Sequence, residues 1–182
     1  MSKWMIASDL HGDAACVERL LARYRESGAE KLILLGDLLY HGPRNDLPEG
    51  YAPKRVIELL NGVKNELLCV RGNCDTEVDQ MVLEFPILAD YAYLSVDDLS
   101  IFATHGHTHN TKNPPSLKAR EILLHGHTHV PVVESFGNEN FYINPGSTSI
   151  PKENSPKSYL ILENSRFAWY DLDGREYKSF SL

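Results

Sequence analysis

Five apolar runs in the sequence each end in a polar side chain of a type that binds metal ions. The first run leads to Asp9 and His11, which lie two positions apart and therefore project to the same side of an extended segment. In α/β proteins ligands collect at the carboxyl ends of the strands, so residues that follow different strands can converge. We therefore expect one site made of Asp9 and His11 after residues 5–8, Asp37 after residues 32–35, Asn73 after residues 67–70, His105 after residues 101–104, and His127 and His129 after residues 122–124.

These side chains offer carboxylate, imidazole and amide donors without a thiolate, a set that suits hard to borderline divalent ions. Mn²⁺ is the favoured ion, with Zn²⁺, Fe²⁺ or Ni²⁺ as alternatives. A carboxylate can bridge two cations, and two ions about 3.5–4 Å apart can share a hydroxide that attacks phosphorus in line. Asp37 is our candidate for that bridge. The residues thus favour a hydrolytic site with two divalent ions over a cysteine-based structural zinc site.

The elements that must position these residues change character along the chain. The first part alternates short apolar runs with helical patterns, whereas the part beyond residue 91 consists of shorter runs with few helical stretches. A parallel βαβ half followed by a largely antiparallel half predicts two packed sheets with helices outside. The predicted strands cover residues 4–7, 32–35, 67–70, 91–96, 99–103, 122–124, 130–136, 141–143, 159–162 and 167–172, and the predicted helices carry residues 17–24 and 56–60.

Composition limits the function classes. The 182 residues, 42% of them apolar and 24% charged, predict a single domain over residues 1–182. The net charge of −7 argues against a broad nucleic-acid surface, which is normally basic. No apolar run approaches the roughly 20 residues that span a bilayer, so we expect a cytoplasmic protein without a membrane partner. Three cysteines without paired spacing are expected to be reduced, and the sequence leaves a homo-oligomer open.

The metal-binding motifs resemble, in type and order, the signature of the calcineurin-like metallophosphoesterase superfamily. The Arg71–Asp75 block and the later Asn144-Pro145-Gly146-Ser147 turn are most similar to those of the small bacterial YfcE-type phosphodiesterases. The match extends over Asp9-x-His11, Gly36-Asp37, Gly72-Asn73-x-Asp75, His105-Gly106-His107 and Gly126-His127-x-His129.

This resemblance implies a four-layer α/β/β/α sandwich of two mixed sheets flanked by helices. It also implies a metal-dependent phosphodiesterase that acts on a small phosphodiester or nucleotide-like substrate. One ion would be held by Asp9, His11, Asp37 and His129, and the other by Asp37, Asn73, His105 and His127. The catalytic candidates are Asn73, Cys74, Asp75 and His107, and the candidates for substrate binding are Arg71, Arg44 and His41.

Cys74 departs from the pattern of the wider superfamily. Many members have histidine after the motif asparagine, where it is taken to protonate the leaving group or to stabilise the transition state. A thiol with a reference pKa of about 8.5 does not replace an imidazole near pH 7. The cysteine therefore indicates a preference for diesters over monoesters, unless Cys74 only fills space.

Two other functions compete with hydrolysis of a phosphodiester. The superfamily resemblance also includes a retromer subunit that serves as a scaffold, for which degraded ligand positions would be expected. All seven positions are intact here. A zinc hydrolase of the metallo-β-lactamase type also uses a His-x-His cluster, but its motif continues x-Asp-His, whereas Thr108, His109 and Asn110 follow His107. We rank that class last.

Overall fold

The computed structural model describes residues 2–182, which form two mixed β-sheets packed face to face. The first sheet has six strands in the order β11-β10-β9-β1-β2-β3, and the second has five in the order β4-β5-β6-β8-β7. The strands are β1 (Lys3–Ala7), β2 (Lys31–Leu34), β3 (Leu67–Cys69), β4 (Tyr91–Val96), β5 (Leu99–Thr104), β6 (Ile122–Leu124), β7 (Pro131–Phe136), β8 (Asn140–Pro145), β9 (Ser158–Glu163), β10 (Arg166–Asp171) and β11 (Glu176–Ser181).

Each sheet contains a parallel centre. In the first sheet β1, β2 and β3 run parallel, and β9, β10 and β11 extend it as antiparallel neighbours. In the second sheet β5, β6 and β8 run parallel, while β4 and β7 are antiparallel edge strands. Because carboxyl ends of parallel strands meet at one edge, each sheet brings the loops that follow its central strands together.

The helices are α1 (Ala14–Ser27), α2 (Pro53–Asn61) and α3 (Glu77–Gln80), with a short 3₁₀ turn over Lys64–Glu66. Helix α1 begins where the Asp13 side chain accepts a hydrogen bond from the backbone N–H of Cys16, and it ends at Gly28 in the left-handed conformation. Pro53 opens α2 at a position where the missing N–H removes no helical hydrogen bond. Helices α1 and α2 pack against the first sheet through its outer apolar layer.

Alternation along the strands of the first sheet produces two apolar layers. Met5 and Ala7 face α1, whereas Ile6 faces the second sheet. The layer between the sheets includes Trp169, which is fully buried and donates its indole N–H to the carbonyl oxygen of Asn144 at 2.7 Å. The first sheet is therefore packed on both faces, and the loops after β1, β2 and β3 extend from it.

The two packed mixed sheets confirm the predicted α/β sandwich. The C-terminal hairpin joins the first sheet beside β1, and β11 was not predicted. The second half is less antiparallel than expected, since β6 and β8 pair in parallel across the intervening β7. Residues 105–121, which connect β5 to β6, form no helix. Within residues 2–182, no helix is both long enough and apolar enough to cross a lipid bilayer.

Candidate metal centre

The loops after β1, β2, β3, β5 and β6 meet between the two sheets. The Asp9 N–H donates to the carbonyl oxygen of Gly36 and the His11 N–H to that of Asp37, which fastens the first loop to the second. The His127 N–H donates to Asp9 Oδ2 at 3.0 Å, which fastens the loop after β6 to both. The predicted convergence of the strand ends is therefore present in the structure.

One group of ligand atoms is formed by Asp9, His11 and His129, whose side chains are buried. His11 Nε2 lies 3.2 Å from His129 Nε2, and these atoms lie 3.7 and 3.3 Å from Asp9 Oδ1. A second group lies beside it, in which His105 Nε2 is 3.1 Å from His127 Nδ1 and 3.0 Å from Asn73 Oδ1. Six of the seven sequence-predicted ligands thus fall into two neighbouring groups, and the seventh is Asp37.

Asp37 lies between the two groups. Its Oδ2 atom is 3.7 Å from His11 Nε2 and 3.4 Å from His105 Nε2, while Oδ1 accepts the backbone N–H of Cys74 at 2.8 Å. One carboxylate oxygen is therefore held by the backbone and the other faces both groups. This is the geometry expected of a bridging carboxylate.

Three of the imidazoles are fixed by backbone carbonyls. The Nδ1 atoms of His11, His105 and His129 lie 2.8, 2.7 and 2.6 Å from the carbonyl oxygens of Tyr40, Leu35 and Ile150. Each carbonyl is an acceptor, so Nδ1 carries the proton and the Nε2 lone pair points into the site. When both imidazoles are neutral, the lone pairs of His11 Nε2 and His129 Nε2 face each other at 3.2 Å, an arrangement that either a proton or a metal ion between them would stabilise.

The carboxylate oxygen Asp9 Oδ1 also bears on whether the site fits a bound cation. It is fully buried, and among the residues that the structure describes it has no hydrogen-bond partner. An unpaired buried carboxylate oxygen costs several kcal/mol unless a positive charge compensates it. The orphaned oxygen and the converging Nε2 atoms together fit bound divalent ions.

The charge states of the metal-free site follow from its carboxylates. Burial acts to raise the pKa of Asp37, but the His105 imidazole outweighs it and holds that pKa below its usual value. Burial likewise acts to lower the pKa of His105, yet Asp37 and Asp9 raise it to about 9. Burial and the neighbouring His105 lower the pKa of His127 to about 4. The carboxylates are therefore ionised at neutral pH, and protons on His105 compete with a metal ion.

Five of these residues adopt left-handed backbone conformations, which other non-glycine residues of the described chain adopt in turns. Asp9, His11, Asp37, His127 and His129 adopt φ angles of 57°, 45°, 57°, 66° and 63°. Residues other than glycine rarely adopt this left-handed region, and such conformations cluster at functional sites where the surroundings enforce them. Five of the seven predicted ligands thus have left-handed backbone conformations.

Two glycines allow the loops to approach this closely. A Cβ atom at Gly72 would overlap the backbone nitrogen and Oδ1 of Asp37, and one at Gly126 would overlap Ser8 Oγ. Glycine, which has no side chain, therefore allows the loops to meet at both positions.

The comparisons with known proteins agree with this geometry. Residues 3–166 match the model of the calcineurin-like phosphoesterase superfamily domain. The chain belongs to that superfamily. It is 51% identical over 164 residues to the phosphodiesterase YfcE of Escherichia coli K12, a match that covers 90% of this chain and 89% of the relative. Family and relative together support the predicted hydrolase role.

Solved structures of the superfamily share the fold. The structure of YfcE, a phosphoesterase from Escherichia coli, superposes with a TM-score of 0.94 at 47% identity, and the match covers 98% of both chains. Vacuolar protein sorting 29 from Cryptosporidium parvum superposes with a TM-score of 0.62 at 18% identity, covering 100% of this chain and 98% of that one. The second likeness establishes the fold alone.

The cleft of this phosphoesterase, about 400 Å³ in volume, opens over the ligand groups. Among the three residues predicted to bind substrate, only Arg44 lines it. Arg71 is held by the carbonyl oxygen of Asp75 at 3.2 Å and by Glu77, and His41 packs edge-on against Tyr40. The described geometry therefore brings Arg44 to the cleft and places His41 and Arg71 outside its lining.

Lys152 lines the cleft and was not predicted. Its backbone N–H donates to the carbonyl oxygen of His129, which links it to a ligand residue. Nothing in the polar stretch around Lys152 distinguishes it from a surface lysine, so only its position in the fold identifies it. An exposed cation beside Arg44 suits a phosphate oxygen.

The remaining histidines differ in their surroundings. His107 is exposed, with its ring centroid 5.5 Å from that of His105, so it faces the open side of the second ligand group. His109 packs edge-on against Phe102, and His125 stacks on Tyr142 at 4.1 Å. His109 and His125 therefore pack against residues of the second sheet.

Residues 144–150 form hydrogen bonds with the backbone and with a side chain of the first ligand group and its neighbours. The hydroxyls of Ser147 and Ser149 both donate to the carbonyl oxygen of Asp9 at 2.9 Å. Asn144 donates to the carbonyl oxygen of Gly126, and Ile150 provides the carbonyl that orients His129. This loop holds the backbone on both sides of the site.

Asp75 has a structural environment rather than a catalytic one. Its carboxylate is buried and accepts the backbone N–H groups of Asp37, Leu38 and Gly72 at 2.8, 2.9 and 2.7 Å. These contacts tie the loop after β2 to the loop after β3, so Asp75 positions Asp37.

We expect Asp75→Asn to lower stability and to loosen the metal centre. The asparagine amide turns its NH₂ group toward backbone donors, and each N–H left without an acceptor costs about 1–3 kcal/mol. Urea unfolding of the metal-free protein measures the loss, with Asp98→Asn, an exposed position, as the control. Equal unfolding midpoints for wild type and Asp75→Asn would show that these hydrogen bonds do not fasten the loops.

Proposed function

We propose that the protein is a metal-dependent phosphodiesterase whose two-ion site consists of Asp9, His11, Asp37, Asn73, His105, His127 and His129. The observation that carries the proposal is the pair of ligand groups with Asp37 Oδ2 between them. The name of the 51% identical relative, a phosphodiesterase, supports the same activity. The intact ligand positions favour hydrolysis over a scaffold role, which the shared fold alone would also allow.

The donor set suits the proposed ions, with Mn²⁺ favoured because oxygen and imidazole donors are mixed. Bound there, two divalent ions would supply Lewis-acid polarisation of a phosphoryl oxygen and a nucleophile at neutral pH. The protein's own part is to keep the imidazoles in one tautomer and orientation through the carbonyls of Tyr40, Leu35 and Ile150.

Side chains around the cleft complete the proposed site. Arg44 and Lys152 line it and would attract the single negative charge of a diester. Cys74 lines the cleft, and its thiol contacts the Asn73 side chain. The resemblance to the superfamily implies that this position faces the leaving group. Since the net charge of the chain is −7, phosphate binding is local to this cleft. The proposed substrate is therefore a small phosphodiester or nucleotide-like compound.

The test uses purified protein stripped of metal by a chelator. Hydrolysis of bis(4-nitrophenyl) phosphate is expected to vanish on chelation and to return when Mn²⁺ is added, because neutral imidazoles and carboxylates lose their cations together. The diester is expected to be hydrolysed faster than 4-nitrophenyl phosphate. Full activity in protein shown by elemental analysis to lack metal would overturn the proposal.

A further inference from the structure

A second concave surface lies next to the cleft of the metal centre. This groove has a volume of about 430 Å³, and polar side chains lie only at Lys54, Thr76 and Asp79 of its lining. Volume and composition are typical of pockets that bind small organic groups. Its apolar and aromatic lining consists of Leu39, Tyr40, Tyr51, Ile57, Val78 and Val82, with Pro53 at one end.

The groove is continuous with the metal centre through Cys74. This residue lines both the groove and the cleft. Its sulfur lies within 4.8 Å of ligand atoms of His11 and Asp37. Tyr40, whose side chain lines the groove, also provides the carbonyl that orients His11. A group attached to phosphorus in the cleft therefore meets the groove directly past Cys74.

The apolar side chains of the groove are unusually exposed. Tyr40, Val78 and Val82 expose 42%, 69% and 44% of their surface. Single exposed apolar residues are ordinary, but several that line one concave surface indicate a site of contact. Helix α3 presents Val78 in a fixed position, because Thr76 and Asp79 form a capping box at its start.

Aromatic packing fixes the opposite wall. The His41 ring lies edge-on to the rings of Tyr40 and Tyr51, with centroid distances of 4.7 and 5.5 Å. The two tyrosine rings are thereby held where they line the groove. Rings held in this way offer faces and edges to a further aromatic group.

We propose that this groove binds an aromatic or other apolar ester arm of the substrate. The assignment rests on the proposed phosphodiesterase function, and it narrows the substrate class to diesters with at least one such arm. Continuity with the cleft favours an arm of the substrate over a second copy of the chain. His41, placed outside the cleft, then contributes to specificity by positioning the two tyrosines.

Dimethyl phosphate and diphenyl phosphate provide the test, since they carry the same charge and differ only in their arms. Their Kd values are measured by ¹H NMR titration of the Zn²⁺-loaded protein. Burial of one phenyl ring is expected to make diphenyl phosphate bind about tenfold more tightly than dimethyl phosphate. In the Val78→Ser/Val82→Ser variant the ratio of the two Kd values is expected to fall about threefold or more, with the Kd of dimethyl phosphate unchanged.

Met81→Ser is the matched control, because Met81 ends α3, exposes 83% of its surface and does not line the groove. Val78→Ser alone, at the more exposed position, is the second variant if the double variant unfolds. An unchanged Kd ratio in variants that still bind dimethyl phosphate would overturn the assignment. A variant whose sedimentation coefficient changes while its Kd ratio does not would also overturn the assignment, because the groove would then be a contact between copies of the chain. Absence of both binding and diester hydrolysis in the loaded wild type would instead contradict the proposed function itself, and the assignment with it.

Discussion

The Asp37→Asn variant is expected to lose both ions together and at least about a hundredfold in phosphodiester hydrolysis, since metal-ion stabilisation of several kcal/mol corresponds to orders of magnitude in rate. Asp37 Oδ2 faces His11 at 3.7 Å and His105 at 3.4 Å, so a single oxygen serves both ligand groups. Asparagine keeps the shape of the side chain and removes its charge. Two cations without a shared anion repel each other more strongly, which weakens both sites.

Elemental analysis of the folded variant decides this prediction. If Asp37 were only a turn residue, as its left-handed φ of 57° would also allow, stability would fall and metal content would stay the same. His109→Ala is the control, because His109 packs on Phe102 and belongs to neither ligand group. Metal loss in His109→Ala as complete as in His105→Ala or His127→Ala would show that the ligand assignment is wrong.

The strands that carry the site were predictable because they are buried on both faces. Residues of β1 and β2 contact either the helices or the second sheet, and such strands have continuous apolar sequences. Strand β11 was missed because it lies at the sheet edge and its residues, Glu176–Ser181, are mostly exposed. An apolar run also does not specify its partner strand, so the parallel pairing of β6 with β8 was not predictable.

The ligands were predictable for a related reason, namely that each follows a buried strand. Their orientation was not. The carbonyls that fix His11 and His129 come from Tyr40 and Ile150, which are 29 and 21 positions away in the chain. Any residue provides a backbone carbonyl, so no side-chain type marks these positions. Lys152 was missed for the same reason, since only tertiary structure brings it to the cleft.

Position 74 holds a thiol where many members of the superfamily have an imidazole. Burial, followed by the charge of Asp37, raises the pKa of the thiol to about 12. In the metal-free site the thiol is therefore protonated at neutral pH, and it is a much weaker acid than an imidazolium. If position 74 faces the leaving group, activated aryl esters are good substrates because their leaving groups depart without a proton. Alkyl esters are poor substrates, because their alkoxide leaving groups need one.

Cys74→His is therefore expected to raise the turnover of diesters with poor leaving groups, with little effect on activated aryl esters and none on metal content. General acid assistance is typically worth about 10²–10⁴ in rate.

The measurement is the rate constant for both proteins against leaving-group pKa in a series of aryl and alkyl diesters. If the rate constant of the histidine variant depends less on leaving-group pKa than that of the wild type, the ring donates its proton as the ester bond breaks. The alternative is that Cys74 only fills space beside Asp37, in which case histidine overpacks its surroundings and costs about 1–3 kcal/mol of stability. The plots of log rate constant against leaving-group pKa would then have the same slope for both proteins, which would show that position 74 does not act on the leaving group.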